Sequence, residues 1–198
     1  MNEIKKIIIG TNNAGKYKEI SDLLPNQIIK CSPKELKIGT PEETGCTFEE
    51  NSFLKASYYS KKTNLICLSD DSGLKIDLLN GDPGIFSSRW GGETKNFDKA
   101  IEKIFKELNN TTKRWQKKNT AKFVCCMTLY WPNGKSYSSK GIVKGKISSI
   151  KKGKNGFGYD PIFIPEGYNK TFGEMSSNLK MSIDHRYEAF KKIKKFLN

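Results

Sequence analysis

The chain contains one histidine, His185, and three arginines, Arg89, Arg114 and Arg186. A lone histidine excludes any multi-histidine metal centre. It leaves a single candidate for a histidine-based dyad. The scarcity of arginine qualifies the formal net charge of +14, because every other basic residue is a lysine. Sequence-reading nucleic-acid surfaces favour arginine for bidentate contacts. No helix-turn-helix or RNP signature accompanies the charge, so it reads as solvated lysine faces rather than a specific nucleic-acid surface. The five cysteines, Cys31, Cys46, Cys67, Cys125 and Cys126, show no C-x-x-C spacing. A zinc ribbon or thioredoxin motif is therefore unsupported. An odd number of cysteines and no signal-peptide pattern suit reduced thiols in the cytoplasm. The apolar run Ile4 to Ile9 is too short for a membrane span.

What is present is globular. Hydrophobic residues make up 36% of 198 residues, and aromatics 11%. That supports one medium-sized domain over residues 1–198, or two lobes sharing a core.

The chain opens with a buried strand, Ile4 to Ile9, a turn at Gly10, and a helix from Ala14 to Leu24 closed by Pro25. This is the usual start of an α/β nucleotide-binding unit. Pro33 to Cys46 reads as a loop carrying Glu42-Glu43. Thr47-Phe48-Glu49-Glu50 matches a capping box and predicts a helix to about Lys62. Leu65 to Leu68 reads as a short strand ending at Ser69-Asp70-Asp71-Ser72-Gly73, and Leu74 to Leu78 as a second strand. Asn80 to Gly92 reads as a loop, Asn96 to Leu108 as a helix and Asn109 to Asn119 as an exposed polar linker. Ala121 to Trp131 and Ser136 to Lys146 read as strands joined at Pro132-Asn133-Gly134. A terminal helix is expected over Ser182 to Leu197.

Four constellations bear on chemistry. Gly10-Thr11-Asn12-Asn13-Ala14-Gly15-Lys16 fits the G-x-x-x-x-G-K spacing of a phosphate loop, in which amides at a helix start cradle phosphate and the lysine adds a charge. Tyr17 stands where a true P-loop has the Ser or Thr that ligates Mg²⁺, so a ligand-free glycine-rich turn remains open. Asp70 and Asp71 place adjacent carboxylates after an apolar strand, and a divalent cation would relieve their repulsion. An acidic turn with one solvated Asp is the alternative. Asn155-Gly156-Phe157-Gly158-Tyr159-Asp160-Pro161 offers aromatic rings between glycines, suited to stacking a base or simply to anchoring a loop. Lys180 and His185-Arg186 set donors near a predicted helix start.

Together these motifs resemble, in order and along nearly the whole chain, the inosine triphosphate pyrophosphatase family. The resemblance also takes in Glu42-Glu43-Thr44-Gly45, Thr47-Phe48-Glu49-Glu50-Asn51 and Pro83-Gly84-Ile85. It implies an α/β fold: an elongated mixed β-sheet with flanking helices, two lobes and a central active-site cleft. It implies a homodimer and Mg²⁺-dependent hydrolysis of ITP, dITP and XTP to the monophosphate and pyrophosphate, without specific nucleic-acid or membrane partners. By position, Thr11, Asn12, Asn13, Ala14, Gly15 and Lys16 would hold phosphates. Asp71 would bind the metal and activate water, with Lys16 as its catalytic partner and Glu42, or else its neighbour Glu43, as the second acidic partner. Ser72 would touch substrate, and Phe157, within Phe157-Gly158-Tyr159-Asp160, would stack on the base. Asp160, Lys180, His185 and Arg186 would surround the base edge. Asn12 replaces a common glycine, with the expectation that Asn supplies a positive φ. Asp184 replaces a common serine and is expected to cap the helix that follows.

Two rivals stand beside this reading. A P-loop ATPase or kinase would release orthophosphate or phosphorylate an acceptor. A basic nucleic-acid-binding module rests on net charge alone.

Overall fold

The computed structural model describes residues 4–197. The ends of the 1–198 domain expectation therefore lie outside the described residues. One mixed six-stranded sheet runs through the chain in the order β2-β1-β3-β4-β5-β6. Strand β1 (Lys6–Ile9) lies between β2 (Ile29–Cys31) and β3 (Ile66–Ile76), parallel to both, with Ile8 opposite Cys31 on one side and Cys67 on the other. Ile7, Ile8 and Ile9 are fully buried, which is why this strand reads as an unbroken apolar run rather than an alternating one. Each such side chain contributes about 1.5–3 kcal/mol of transfer free energy. Strands β4 (Thr120–Tyr130) and β5 (Ser136–Ile147) are joined by a short turn, and β6 (Phe163–Pro165) pairs antiparallel with β5.

Two compact units share this chain. The first comprises the residues up to Asp71, Cys125–Gly141, and those from Arg186 onward. Its helices are α1 (Ala14–Leu23), α2 (Phe48–Thr63) and most of the last helix, α5 (His185–Ile193). Ile7, Ile20, Leu68, Met127, Leu129, Phe190 and Ile193 form its main core. The second comprises Ser72–Val124 and Ile142–His185, with helices α3 (Phe97–Thr111) and α4 (Ser177–Ile183). Its core gathers Leu74, Ile104, Trp115, Phe123, Phe163 and Phe172.

Helices form as expected at α1, α2 and α3, with the capping box of α2 where the sequence placed it. Thr47 and Glu50 close a reciprocal capping box on α2, and Asn96 caps α3. Four expectations are corrected. Asp70-Asp71-Ser72-Gly73 does not end a strand but lies inside β3, where hydrogen-bonded neighbours on both sides sustain a polar stretch that sequence alone reads as a turn. The Asn109–Asn119 segment is no exposed linker. Helix α3 continues to Thr111, and Trp115 is buried with its indole N–H donating to Asn109. The terminal helix is two helices, broken at Asp184, which is buried and extended (φ −81°, ψ 171°). Asn12 has an ordinary negative φ; its amide donates to Thr40 Oγ1 at 2.7 Å.

Candidate active site

The first unit builds a cluster of charged side chains around the middle of β3. Gly10 ends β1 where there is no room for a side chain. A Cβ there would sit 2.8 Å from Cys67 Sγ and 3.0 Å from both Ser69 and Tyr59. The turn is fastened to β3 by Gly10 N–H donating to Leu68 O, and by Ser69 Oγ donating to Gly10 O, both at 2.8 Å. Thr11 Oγ1 then accepts from Asn13 N–H, and Asn13 Oδ1 accepts from Lys16 N–H as the cap of α1. Ala14 and Gly15 contribute first-turn amides, which a helix leaves without intrahelical partners. Thr11 to Lys16 are therefore brought together as the sequence implied, at a helix N-terminus suited to an anion.

Lys16 Nζ lies 3.3 Å from Asp70 Oδ2, and Arg186 Nε 3.2 Å from the same oxygen. Arg186 Nη1 also reaches Glu19 at 2.8 Å. The guanidinium thus meets two carboxylates of its own unit, Asp70 and Glu19. Asp70 is fully buried, and its Oδ1 has no hydrogen-bond partner among the described residues. Burial would raise the Asp70 pKa, but Lys16, then Arg186 and Lys55, hold it well below the usual carboxylate range.

Asp71 has different neighbours. Its Oδ2 accepts from Asn51 Nδ2 at 3.2 Å and its Oδ1 lies 3.4 Å from Lys55 Nζ. Asn51 and Lys55 are four residues apart on α2 and so share a face. Lys55 also holds Glu43 at 2.5 Å. Glu43, not Glu42, is the loop acid brought to the cluster; Glu42 is exposed. Adjacent residues of an extended segment point to opposite sides, so only one of the pair can turn inward. Burial raises the Asp71 pKa above its ordinary value, and the positive charges of Lys55 and Lys16 do not overcome it against Glu43 and Asp70. Burial would also raise Glu43, but Lys55 and Lys16 hold it low. Burial would lower Lys55, yet Asp71, Glu43 and Asp70 keep it firmly protonated. Among Glu43, Asp70 and Asp71, only Asp71 is pushed toward holding a proton. That is the pattern by which neighbouring carboxylates divide into a base and fixed charges.

The contacts join four carboxylates (Glu19, Glu43, Asp70, Asp71) to three cations (Lys16, Lys55, Arg186). Among the described residues no three His, Cys, Asp or Glu side chains form a ready metal site. Mg²⁺ does not need one, since it is commonly held by one or two carboxylates with water and phosphate oxygens completing its shell. The carboxylates here outnumber the cations, and Asp71 and Glu43 share the single cation Lys55, which fits a hard cation beside these two acids. Lys55, Asn51 and Glu19 were not identified as site residues from sequence. The available signal was Asn51 and Lys55, polar and charged at helical spacing on a helix whose same face carries Ala56 and Tyr59.

The second unit assembles the Phe157 loop. Asp160 Oδ2 accepts from Phe157 N–H at 2.8 Å and from Lys180 Nζ at 2.6 Å. Lys180 Nζ also lies 5.1 Å from the Phe157 ring centre and 5.6 Å from that of Phe172. Phe157, half-buried, thus keeps a ring near a buried cation–carboxylate pair. Gly156 adopts φ +74°, and a Cβ there would collide with the Asp160 carboxylate. Gly158 also has a positive φ, +67°. Tyr159 is no stacking surface: its ring is buried edge-on to Phe97 and its hydroxyl donates to Ser87 O at 2.7 Å. His185 is buried and stacks on Phe123, with centroids 4.6 Å apart and planes 7° from parallel. Ser72 is half-buried on β3.

Comparison with known proteins follows these features. Residues 7–196 match the Ham1 family. A dITP/XTP pyrophosphatase from Zymomonas mobilis is 40% identical over 189 residues, covering 95% of this chain and 90% of the relative. Its counterpart from Staphylococcus aureus is 39% identical over 194 residues, covering 98% and 97%. Among solved structures, the Staphylococcus aureus Ham1 protein superposes with a TM-score of 0.84 at 39% identity, and a HAM1 protein from Coxiella burnetii with 0.86 at 34%. Each covers 98% of both chains. With a family match over residues 7–196 and about 40% identity to relatives along nearly its full length, the chain belongs to the Ham1 family.

Proposed function

We propose that this chain hydrolyses the non-canonical purine nucleoside triphosphates ITP, dITP and XTP to the monophosphate and pyrophosphate. The observation that carries the reading is Asp71. Of Glu43, Asp70 and Asp71 it alone has raised proton affinity, and it stands beside the Lys16–Asp70 pair at a helix N-terminus. The dITP/XTP pyrophosphatases that it resembles along nearly their full length support the substrate class.

In this mechanism the α1 N-terminus and Lys16 take the phosphates, with Lys16 exchanging Asp70 for a phosphate oxygen. Asp71 accepts a proton from the attacking water. The new oxygen–phosphorus bond forms as the linkage between the α- and β-phosphates breaks, and pyrophosphate leaves. Asp71 and Glu43 would hold Mg²⁺. When bound, the ion neutralises phosphate charge as it develops. The second unit contributes base recognition. Phe157 offers a stacking face, and the Asp160–Lys180 pair sets an acceptor beside a donor. Hypoxanthine and xanthine present an N1–H donor and an O6 acceptor, whereas adenine reverses both. Buried polar groups left unmatched discriminate strongly. A homodimer, implied by the resemblance, and a cytoplasmic setting, read from the cysteines, are carried forward with this reading; sedimentation equilibrium tests the first.

The test is a panel of dITP, XTP, ITP, GTP and ATP with and without Mg²⁺. Release of pyrophosphate from the first three, dependent on Mg²⁺ and well above that from ATP, is expected. Equal turnover of ATP would reject the base-recognition account.

A further inference from the structure

Asn51 links the acidic loop to Asp71. It is 1% exposed. Its Oδ1 accepts from Gly45 N–H at 2.9 Å, while its Nδ2 donates to Asp71 Oδ2 at 3.2 Å. The amide orientation is fixed by these partners, because a backbone N–H requires the oxygen and a carboxylate requires the NH₂. The loop lies close: a Cβ on Gly45 would come within 2.7 Å of Asn51 Oδ1. Glu50 continues the fastening, with Oε2 accepting from Cys46 N–H at 2.7 Å and Thr47 N–H at 3.2 Å. Three successive backbone amides are therefore tied to the first turn of α2, and only the Asn51 tie also reaches Asp71. One turn along α2, Lys55 makes the parallel link from Glu43 to the other oxygen of Asp71.

We propose that Asn51 is a positioning residue for the hydrolysis, fixing both the Glu43–Cys46 loop and the rotation of the Asp71 carboxylate through one amide. Resting on the proposed function, this gives Asn51 two separable tasks. Its oxygen orders the loop; its NH₂ orients Asp71. Outer partners that orient site ligands are typically worth about 10–100-fold in activity.

Two substitutions separate the tasks. Asn51→Ala removes both bonds. Asn51→Asp is isosteric and keeps the acceptor for Gly45 N–H, but sets an oxygen against Asp71 Oδ2. The measurements are kcat and KM for dITP, and amide hydrogen exchange of the peptide spanning Glu43 to Thr47. Asn51→Ala is expected to lower kcat about 10–100-fold with KM within about threefold, and to speed exchange of that peptide while the core strands stay protected. Asn51→Asp is expected to keep the loop protected yet lose kcat comparably. Wild-type kcat in Asn51→Asp would overturn the orienting role. Unchanged loop exchange in Asn51→Ala would overturn the loop-ordering role. A kcat loss that merely tracks a smaller folded fraction, with protection lost throughout, would overturn both. If the wild-type chain released no pyrophosphate while exchange responded as expected, the proposed function would fail and the loop tie would stand.

Discussion

Lys16 Nζ is held 3.3 Å from Asp70 Oδ2, so the lysine suited to phosphate is parked on a fully buried carboxylate. Arg186 shares the same oxygen. A phosphate that draws Lys16 away therefore leaves Asp70 still paired, and the exchange avoids stranding a buried charge. Lys16→Met should lower kcat/KM for dITP by about 10²–10³-fold, the usual worth of a preorganised electrostatic donor. The fold should lose only about 1–2 kcal/mol, because Arg186 remains. Steady-state kinetics and urea unfolding check the two halves.

Asp70 and Asp71 are neighbours in sequence with opposite responses to acid. The Asp70 carboxyl is held below its ordinary pKa, so its contribution to stability is present above the usual carboxylate range and is lost as pH falls through its folded value. The Asp71 carboxyl is raised, so it favours the fold when protonated and that contribution disappears as pH rises through its folded value. Asp71→Asn should therefore abolish turnover at pH 7 while leaving the melting temperature equal to or above that of wild type. Asp70→Asn should cost about 3 kcal/mol at pH 7 by stranding buried cations, and should flatten the loss of stability below about pH 4. Thermal melts from pH 3 to 7 on both variants distinguish these outcomes.

Tyr159 is an anchor, its hydroxyl committed to Ser87 O. Tyr159→Phe should cost about 1–2 kcal/mol by leaving a buried carbonyl unmatched, with kcat and KM for dITP within twofold. A large rise in KM would return Tyr159 to the substrate.

Gly156 has both a left-handed backbone and no space beside Asp160. Gly156→Ala should cost at least about 1–2 kcal/mol from the backbone alone. It should also displace the Asp160–Lys180 pair, raising KM for dITP and narrowing the preference over ATP. Parallel kinetics on the two nucleotides provide the check.

The sequence made the Gly10–Lys16 turn legible because Gly10, Asn13 and Lys16 act through local spacing: a close-packed glycine, a helix cap and a lysine on the first turn. The capping box on α2 was equally local. Asp70–Gly73 misled because polar residues and a glycine read as a turn, whereas the pairing of β3 with its neighbours, a long-range fact, keeps them in a strand. The choice of Glu43 over Glu42 depends on which way an extended loop faces Lys55. The partners of Arg186 depend on bringing α5 to β3, more than a hundred residues away in sequence. Asp160 was assigned to the base from its loop position; the structure adds that its Oδ2 first secures Phe157 N–H and Lys180.

The central claim is the bond that is broken. ³¹P NMR of products formed from dITP with Mg²⁺ tests it directly. The account predicts dIMP and pyrophosphate in equal amounts, with no orthophosphate at early times. Orthophosphate with dIDP would contradict it and place the chain among γ-phosphate hydrolases.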